Sequence, residues 1–164
     1  MLQDKIAEVE AKIKDALDKR TEPKVTGDQV TILAVTKNHP AEIVTETLAA
    51  GLTEIGENRV QEAMHKQAVL PKGGHWHLIG HLQTNKAKHA VEHFDLIESV
   101  DSLKLLGHLE KAAAELDKVQ DVLLQINEAG EVQKSGFAPA DFRAAVPELI
   151  QYPHIRVRGV MVIA

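Results

Sequence analysis

Residues 32–40 read ILAVTKNHP: an apolar run, then Lys37, then an Asn-His-Pro turn. The run from Val30 to Thr36 is rich in β-branched residues and apolar on both faces, as parallel strands buried between helices tend to be. Side chains two apart share a face of a strand, so Leu33, Val35 and Lys37 point the same way. Pro40 suits the first turn of a helix running to Ala50, and Gly51 suits its C-cap. The stretch is therefore a strand that ends in an amine and passes into a helix. Whether that unit repeats decides the fold.

It does repeat. Leu52–Gly56 reads as a strand followed by a helix over about Val60–Val69, and Trp76–Ile79 as a strand followed by a helix over about Asn85–His93. Leu96–Val100 is a strand, with Asp101 or Ser102 able to cap a helix that runs to about Leu116. Asp121–Ile126 is a strand, Pro139–Ile150 a helix and Arg156–Ile163 a sixth strand. Upstream, Leu2, Ile6, Val9, Ile13 and Leu17 recur at helical spacing over residues 2–20, and Thr21–Asp28 reads as a polar loop. Packing against the base of the sheet suits this first helix better than a coiled coil, for which it is too short. Alternating strands and helices imply a parallel sheet with right-handed crossovers. Six βα units suit either an open doubly wound sheet or three-quarters of an eight-stranded barrel.

Composition narrows the function classes. The 164 residues are 44% hydrophobic and 26% charged with a net charge of −5, which suits a soluble globular domain and argues against broad electrostatic binding to nucleic acid. No cysteine is present, which excludes disulfides, thiol chemistry and cysteine zinc sites. No apolar run is long enough to span a bilayer, and the start, MLQDKIAEVEAKIKD, is too charged for a signal peptide, so a cytoplasmic location is expected. No linker divides the chain, and residues 1–164 are read as a single domain.

In parallel α/β folds, ligands bind at the carboxyl ends of the strands. Those ends carry Lys37, Asn58, then His81, Gln83 and Asn85, then Glu98, Ser99 and Asp101, and finally Asn127. Partial desolvation frees a lysine lone pair for a carbonyl carbon, so Lys37 is a candidate nucleophile; the bland reading is an amine reaching solvent from a strand end. His75, His77 and His81 share a face, but no recognised ligand spacing accompanies them, and no metal is expected. Lys86, Lys88 and His89 suit a solvated helix face, although Thr84 and Asn85 open a helix whose N-terminus favours an anion.

LAVTK, GENRVQE, HWHLIGHLQTNK, LLQINEAGEVQKSG and RVRGVMVIA occur in this order along the chain. Together they resemble the pyridoxal 5′-phosphate homeostasis protein family, which is related to the N-terminal barrel of alanine racemase. The resemblance covers nearly the whole chain. It implies a (β/α)8 TIM-type barrel, of which about six βα units are present here, and a cofactor, pyridoxal 5′-phosphate, held by a Schiff base on Lys37. Asn58 then lies beside the cofactor, His77 or His81 points toward its ring from the third strand, both being counted as candidates, and Asn127 and Met161 complete the cofactor-binding set. Gly80, Gln83, Asn85, Lys86, Lys134 and Gly136 fall on further motif positions.

By the same resemblance the family's chain continues for roughly two more βα units, whose loops grip the phosphate. These residues are therefore expected to form a barrel incomplete at its C-terminus. The function implied is intracellular buffering or delivery of the cofactor, possible recipients being cofactor-dependent apoenzymes. No catalytic activity and a monomeric state are expected. The alternative is a racemase or decarboxylase of the same barrel type. Against racemisation, the single tyrosine, Tyr152, stands beside Pro153 at a helix end, away from the strand ends.

Overall fold

Six parallel strands lie side by side in the order of the sequence, each hydrogen-bonded to the next, in a computed structural model that describes residues 1–21, 29–132 and 134–164. They are β1 (Ala34–Val35), β2 (Glu54–Glu57), β3 (His75–Leu78), β4 (Leu96–Val100), β5 (Gln120–Gln125) and β6 (Ile155–Met161). A doubly wound sheet reverses its strand order at a switch point; this order never reverses. Successive right-handed crossovers then place every helix on the same side, as in a barrel wall. The alternative of an open doubly wound sheet falls on that observation.

The helices are α1 (Leu2–Asp18), α2 (Ala41–Ala49), α3 (Val60–Val69), α4 (Ala87–His93), α5 (Leu103–Glu115) and α6 (Pro139–Ala145). The core lies between them and the outer face of the sheet. Ile55, Leu78, Ile97, Val122 and Leu124 from the strands meet Val44, Ala63, Val91, Leu106 and Leu109 from the helices, all buried. Helix α5 shows why: Leu105, Leu106, Leu109, Ala112 and Ala113 form one buried stripe at helical spacing. Its N-cap is Ser102, whose hydroxyl accepts the Leu105 N–H at 3.1 Å.

Several boundaries differ from those expected. The first strand is two residues, not Val30–Thr36, and Val35 is 47% exposed rather than buried on both faces. Among the described residues, strand β1 ends the sheet and has a ladder only with β2, so Val30 and Ile32 find no second strand there to pair with. They instead share a groove with Ile13 and Leu17 of α1 and with Leu52, and α1 buries no residue fully. The single helix expected over Pro139–Ile150 breaks into α6 and a 3-10 turn, Val146–Gln151. Pro147 sits at the break and has no N–H to continue an α-helical ladder. The helix expected from Asn85 starts with a 3-10 turn, Thr84–Lys86, before α4. The sixth strand ends at Met161 rather than Ile163. The polar loop expected over Thr21–Asp28 lies, beyond Thr21, outside the described residues. Among the described residues, no helix is long and apolar enough to cross a membrane.

Candidate functional site

Strand alternation sorts the side chains. Ile55 and Glu57 of β2 and Trp76 and Leu78 of β3 face the helices, so Glu54 and Gly56, and His75 and His77, face the barrel interior. A Cβ on Gly56 would meet Leu33 at 3.2 Å and Ile79 at 3.4 Å, which puts these two side chains in the same interior layer.

Above that layer, at the carboxyl ends of the strands, opens a cavity of about 490 Å³. That is within the range of about 300–1,000 Å³ usual for small-molecule sites. Its polar wall comes from Lys37 after β1, Asn58 after β2, His81 after β3, Glu98 of β4 and Gln125 of β5. Lys134 and Ser135 close it from the connection after β5, and Met161 of β6 adds apolar surface. Among the described residues, Lys37 Nζ has no hydrogen bond or salt bridge. Several other lining groups are tied down. His81 Nδ1 donates to Asp101 at 3.1 Å and lies 3.4 Å from the Ser135 hydroxyl. Lys134 pairs with Glu131 at 3.3 Å. The cavity thus offers an uncommitted amine ringed by amide, hydroxyl and imidazole groups.

Four of the six expected cofactor residues, Lys37, Asn58, His81 and Met161, line this cavity. His77 and Asn127 do not line it. His77 sits within the interior, its Nδ1 2.6 Å from Glu98 and its Nε2 2.6 Å from Glu54, so its contact with the cavity runs through Glu98. Burial pulls the His77 imidazole toward neutrality, but the hydrogen bonds to Glu98 and Glu54 outweigh it and raise its pKa above the ordinary value. Burial likewise pushes the Glu54 carboxyl up, and the hydrogen bonds from His75 and His77 outweigh it, leaving its pKa lowered. Asn127 acts on the connection instead: its side-chain amide donates to the carbonyls of Glu131 at 2.8 Å and Lys134 at 3.2 Å. Gln125 donates to the Ser135 carbonyl at 3.1 Å. Together they fold Lys134 and Ser135 over the cavity. Of the polar lining residues, Glu98 is expected only as a strand-end residue and Lys134 only as a motif position, while Gln125 and Ser135 carry no role in the sequence reading. The signal for Gln125 is slight, a polar residue closing the apolar run of β5 two positions before Asn127.

Two glycines are required by close approach. A Cβ on Gly80 would collide with the Asn58 carbonyl, and one on Gly136, at φ +135°, would lie 2.5 Å from the Asn127 nitrogen. Among the described residues, no group of three or more His, Asp or Glu is placed to hold a metal ion.

The family model for the alanine racemase N-terminal domain matches residues 17–164. A curated relative from Pseudomonas aeruginosa, the pyridoxal phosphate homeostasis protein, is 42% identical over 99% of this chain and 70% of its own length. The relative of the same name from Pasteurella multocida is 34% identical, again over 99% of this chain and 70% of its own length. Among solved structures, PipY of Synechococcus elongatus PCC7942 with pyridoxal phosphate bound superposes with a TM-score of 0.77 at 44% identity, covering 94% of this chain and 70% of that one. Alanine racemase of Clostridium difficile 630 superposes at 0.71 with 15% identity, over 93% of this chain and 39% of that one, a likeness of fold alone.

Proposed function

Because this chain belongs to the family of the alanine racemase N-terminal domain, we propose that it binds pyridoxal 5′-phosphate in the strand-end cavity, with Lys37 as the point of attachment. The observation that carries the reading is an amine that has no partner among the described residues, at the wall of a cavity of small-molecule size. The donor set fits the group: Lys37 for an aldehyde, and Asn58, Ser135 and Lys134 as hydrogen-bond donors to a polar, anionic ligand. When bound, pyridoxal phosphate would supply an aldehyde carbon, an electrophile suited to a deprotonated amine nitrogen. Lys37 presents that nitrogen. Asn58 and His81 line the same cavity, and Met161 gives an apolar surface for a planar ring. Asn127 serves the site by holding Lys134 and Ser135 in place, and His77 by holding Glu98.

The cellular role we propose is buffering or delivery of the cofactor in the cytoplasm, by a monomer, to cofactor-dependent apoenzymes. The relatives named pyridoxal phosphate homeostasis proteins support it. A racemase of the two-base type needs a second acid/base group, a tyrosine in alanine racemases; here Tyr152 packs against the core, away from the cavity lining. The test is intact mass after borohydride reduction with pyridoxal phosphate. One reduced cofactor per chain, mapped to Lys37 and lost in Lys37→Ala, is the expected result. An equal adduct in Lys37→Ala would overturn it. Conversion of L-alanine to D-alanine, read by chiral chromatography, would replace the carrier reading with an enzymatic one.

A further inference from the structure

On the helix side of β1 and β2, opposite the cavity, lies a buried cluster of charge. Glu57 is fully buried and Lys66 of α3 is 5% exposed. Lys66 Nζ donates to Glu57 Oε1 at 2.6 Å, to Glu62 Oε1 at 2.9 Å and to the carbonyl of Thr36 at 2.8 Å. The Thr36 hydroxyl donates to the same Glu57 oxygen, and the Asn38 N–H donates to Glu62 Oε1 at 2.7 Å. Burial pushes the Glu62 carboxyl up, but its bonds from Lys66 and Asn38 outweigh this and lower its pKa, so its charge persists.

Thr36 and Asn38 are the two neighbours of Lys37. The backbone is therefore gripped on both sides of that residue, from the face away from the cavity, while Lys37 Nζ has no partner among the described residues. The cluster is not built for stability alone. It sets two carboxylates against one ammonium and leaves Glu57 Oε2 buried without a partner. Apolar side chains of similar volume often serve as well in such a place. They cannot, however, bond a carbonyl before a chosen residue and an N–H after it. Asn38 is also held at φ 61°, a left-handed conformation that an asparagine tolerates but does not need. The gripped residues flank the turn that follows β1, and Lys37, between them, lines the cavity on the opposite side.

We propose that Glu57, Glu62 and Lys66 form a clamp that fixes the backbone on either side of Lys37 and so aims its amine into the cavity. Lys66 is then a positioning residue for attachment of an aldehyde ligand. The inference rests on the reading of Lys37 as the attachment point.

The test uses two variants. Lys66→Met keeps the length of the side chain and removes its charge. Glu62→Ala removes a side chain that is 22% exposed and releases only the Asn38 N–H and one contact of Lys66. Pyridoxal phosphate is titrated into each, the attachment site is mapped after borohydride reduction, and thermal unfolding is followed in parallel. For Lys66→Met, affinity is expected to fall about tenfold to a hundredfold, the scale of a misplaced reacting group. For Glu62→Ala it is expected to fall about fivefold, the scale of one hydrogen bond. In both, the pH midpoint of attachment shifts. If Lys66→Met does not fold, Glu62→Ala decides. A folded variant that matches wild type in affinity and pH midpoint, whatever its thermal transition, overturns the clamp while leaving the attachment point standing. A wild-type protein that gains no mass at Lys37 overturns both.

Discussion

Gly80 shows how a single residue sets the site. Its backbone lies so close to the Asn58 carbonyl that a methyl group has no room, and both residues line the cavity. Gly80→Ala is expected to cost about 1–3 kcal/mol, as overpacking against backbone does, and to weaken binding of pyridoxal phosphate by moving Asn58. Gly107 is the control: it lies inside α5, and a Cβ there would meet nothing within 4 Å. Gly107→Ala is expected to gain about 0.5–1 kcal/mol, since alanine loses less backbone entropy in a helix. Urea midpoints and a cofactor titration on both variants check this, and equal midpoints would refute it. At this scale Lys37 was legible, because an amine closing an apolar run is anomalous in composition alone. The place of His77 was not. Alternation puts it on the interior face, but the layer it occupies depends on Glu54 and Glu98 from neighbouring strands.

Elements are decided by their neighbours as much as by their own residues. Strand β1 carries a stronger strand pattern than its two residues suggest, yet with a partner on one side only its ladder stays short. The connection after β5 has little pattern of its own and is organised by Asn127 and Gln125. Asn127→Ala is expected to cost about 1 kcal/mol in global stability, the order of a hydrogen bond, while loosening the segment around Lys134 and Ser135. Hydrogen exchange there should accelerate and cofactor affinity should fall, with attachment still mapping to Lys37. Unchanged exchange at Lys134 and Ser135 would show that the segment holds itself in place.

Across the whole molecule, the interior face is stitched by charge. Glu54 of β2, His77 of β3 and Glu98 of β4 form a hydrogen-bonded row, and Asp121 of β5 is bonded by Arg156 at 2.6 Å and Arg158 at 3.3 Å from β6. His77 donates from both ring nitrogens only as the imidazolium. Its pKa is raised above 6.5, so its stabilising contribution is complete below that pH and is lost as pH rises through the folded value. The Glu54 pKa is lowered from 4.5, so its contribution is complete above that pH and is lost as pH falls through the folded value. The row therefore stabilises most between these two values. Thermal unfolding should show a transition temperature that declines as pH is raised above 6.5, and His77→Gln should flatten that decline. A variant with the same slope as wild type would remove His77 from the account.

The sequence by itself determined the order and type of the elements, the repeat of the βα unit and the residues that gather at the strand ends. These are local properties: hydrophobic period, turn chemistry and the alternation of side chains along a strand. It also carried the motifs by which the family is recognised. The structure bears out the unreversed strand order that those motifs implied, and only the tertiary structure decided that β1 stays short and that His77 and Asn127 reach the cavity through other residues. It alone revealed that Glu57, Glu62 and Lys66 grip the chain beside Lys37. The reason is physical. Ladder length and buried charge pairing are fixed by partners distant in sequence, and a residue's own neighbours in the chain hold no record of them.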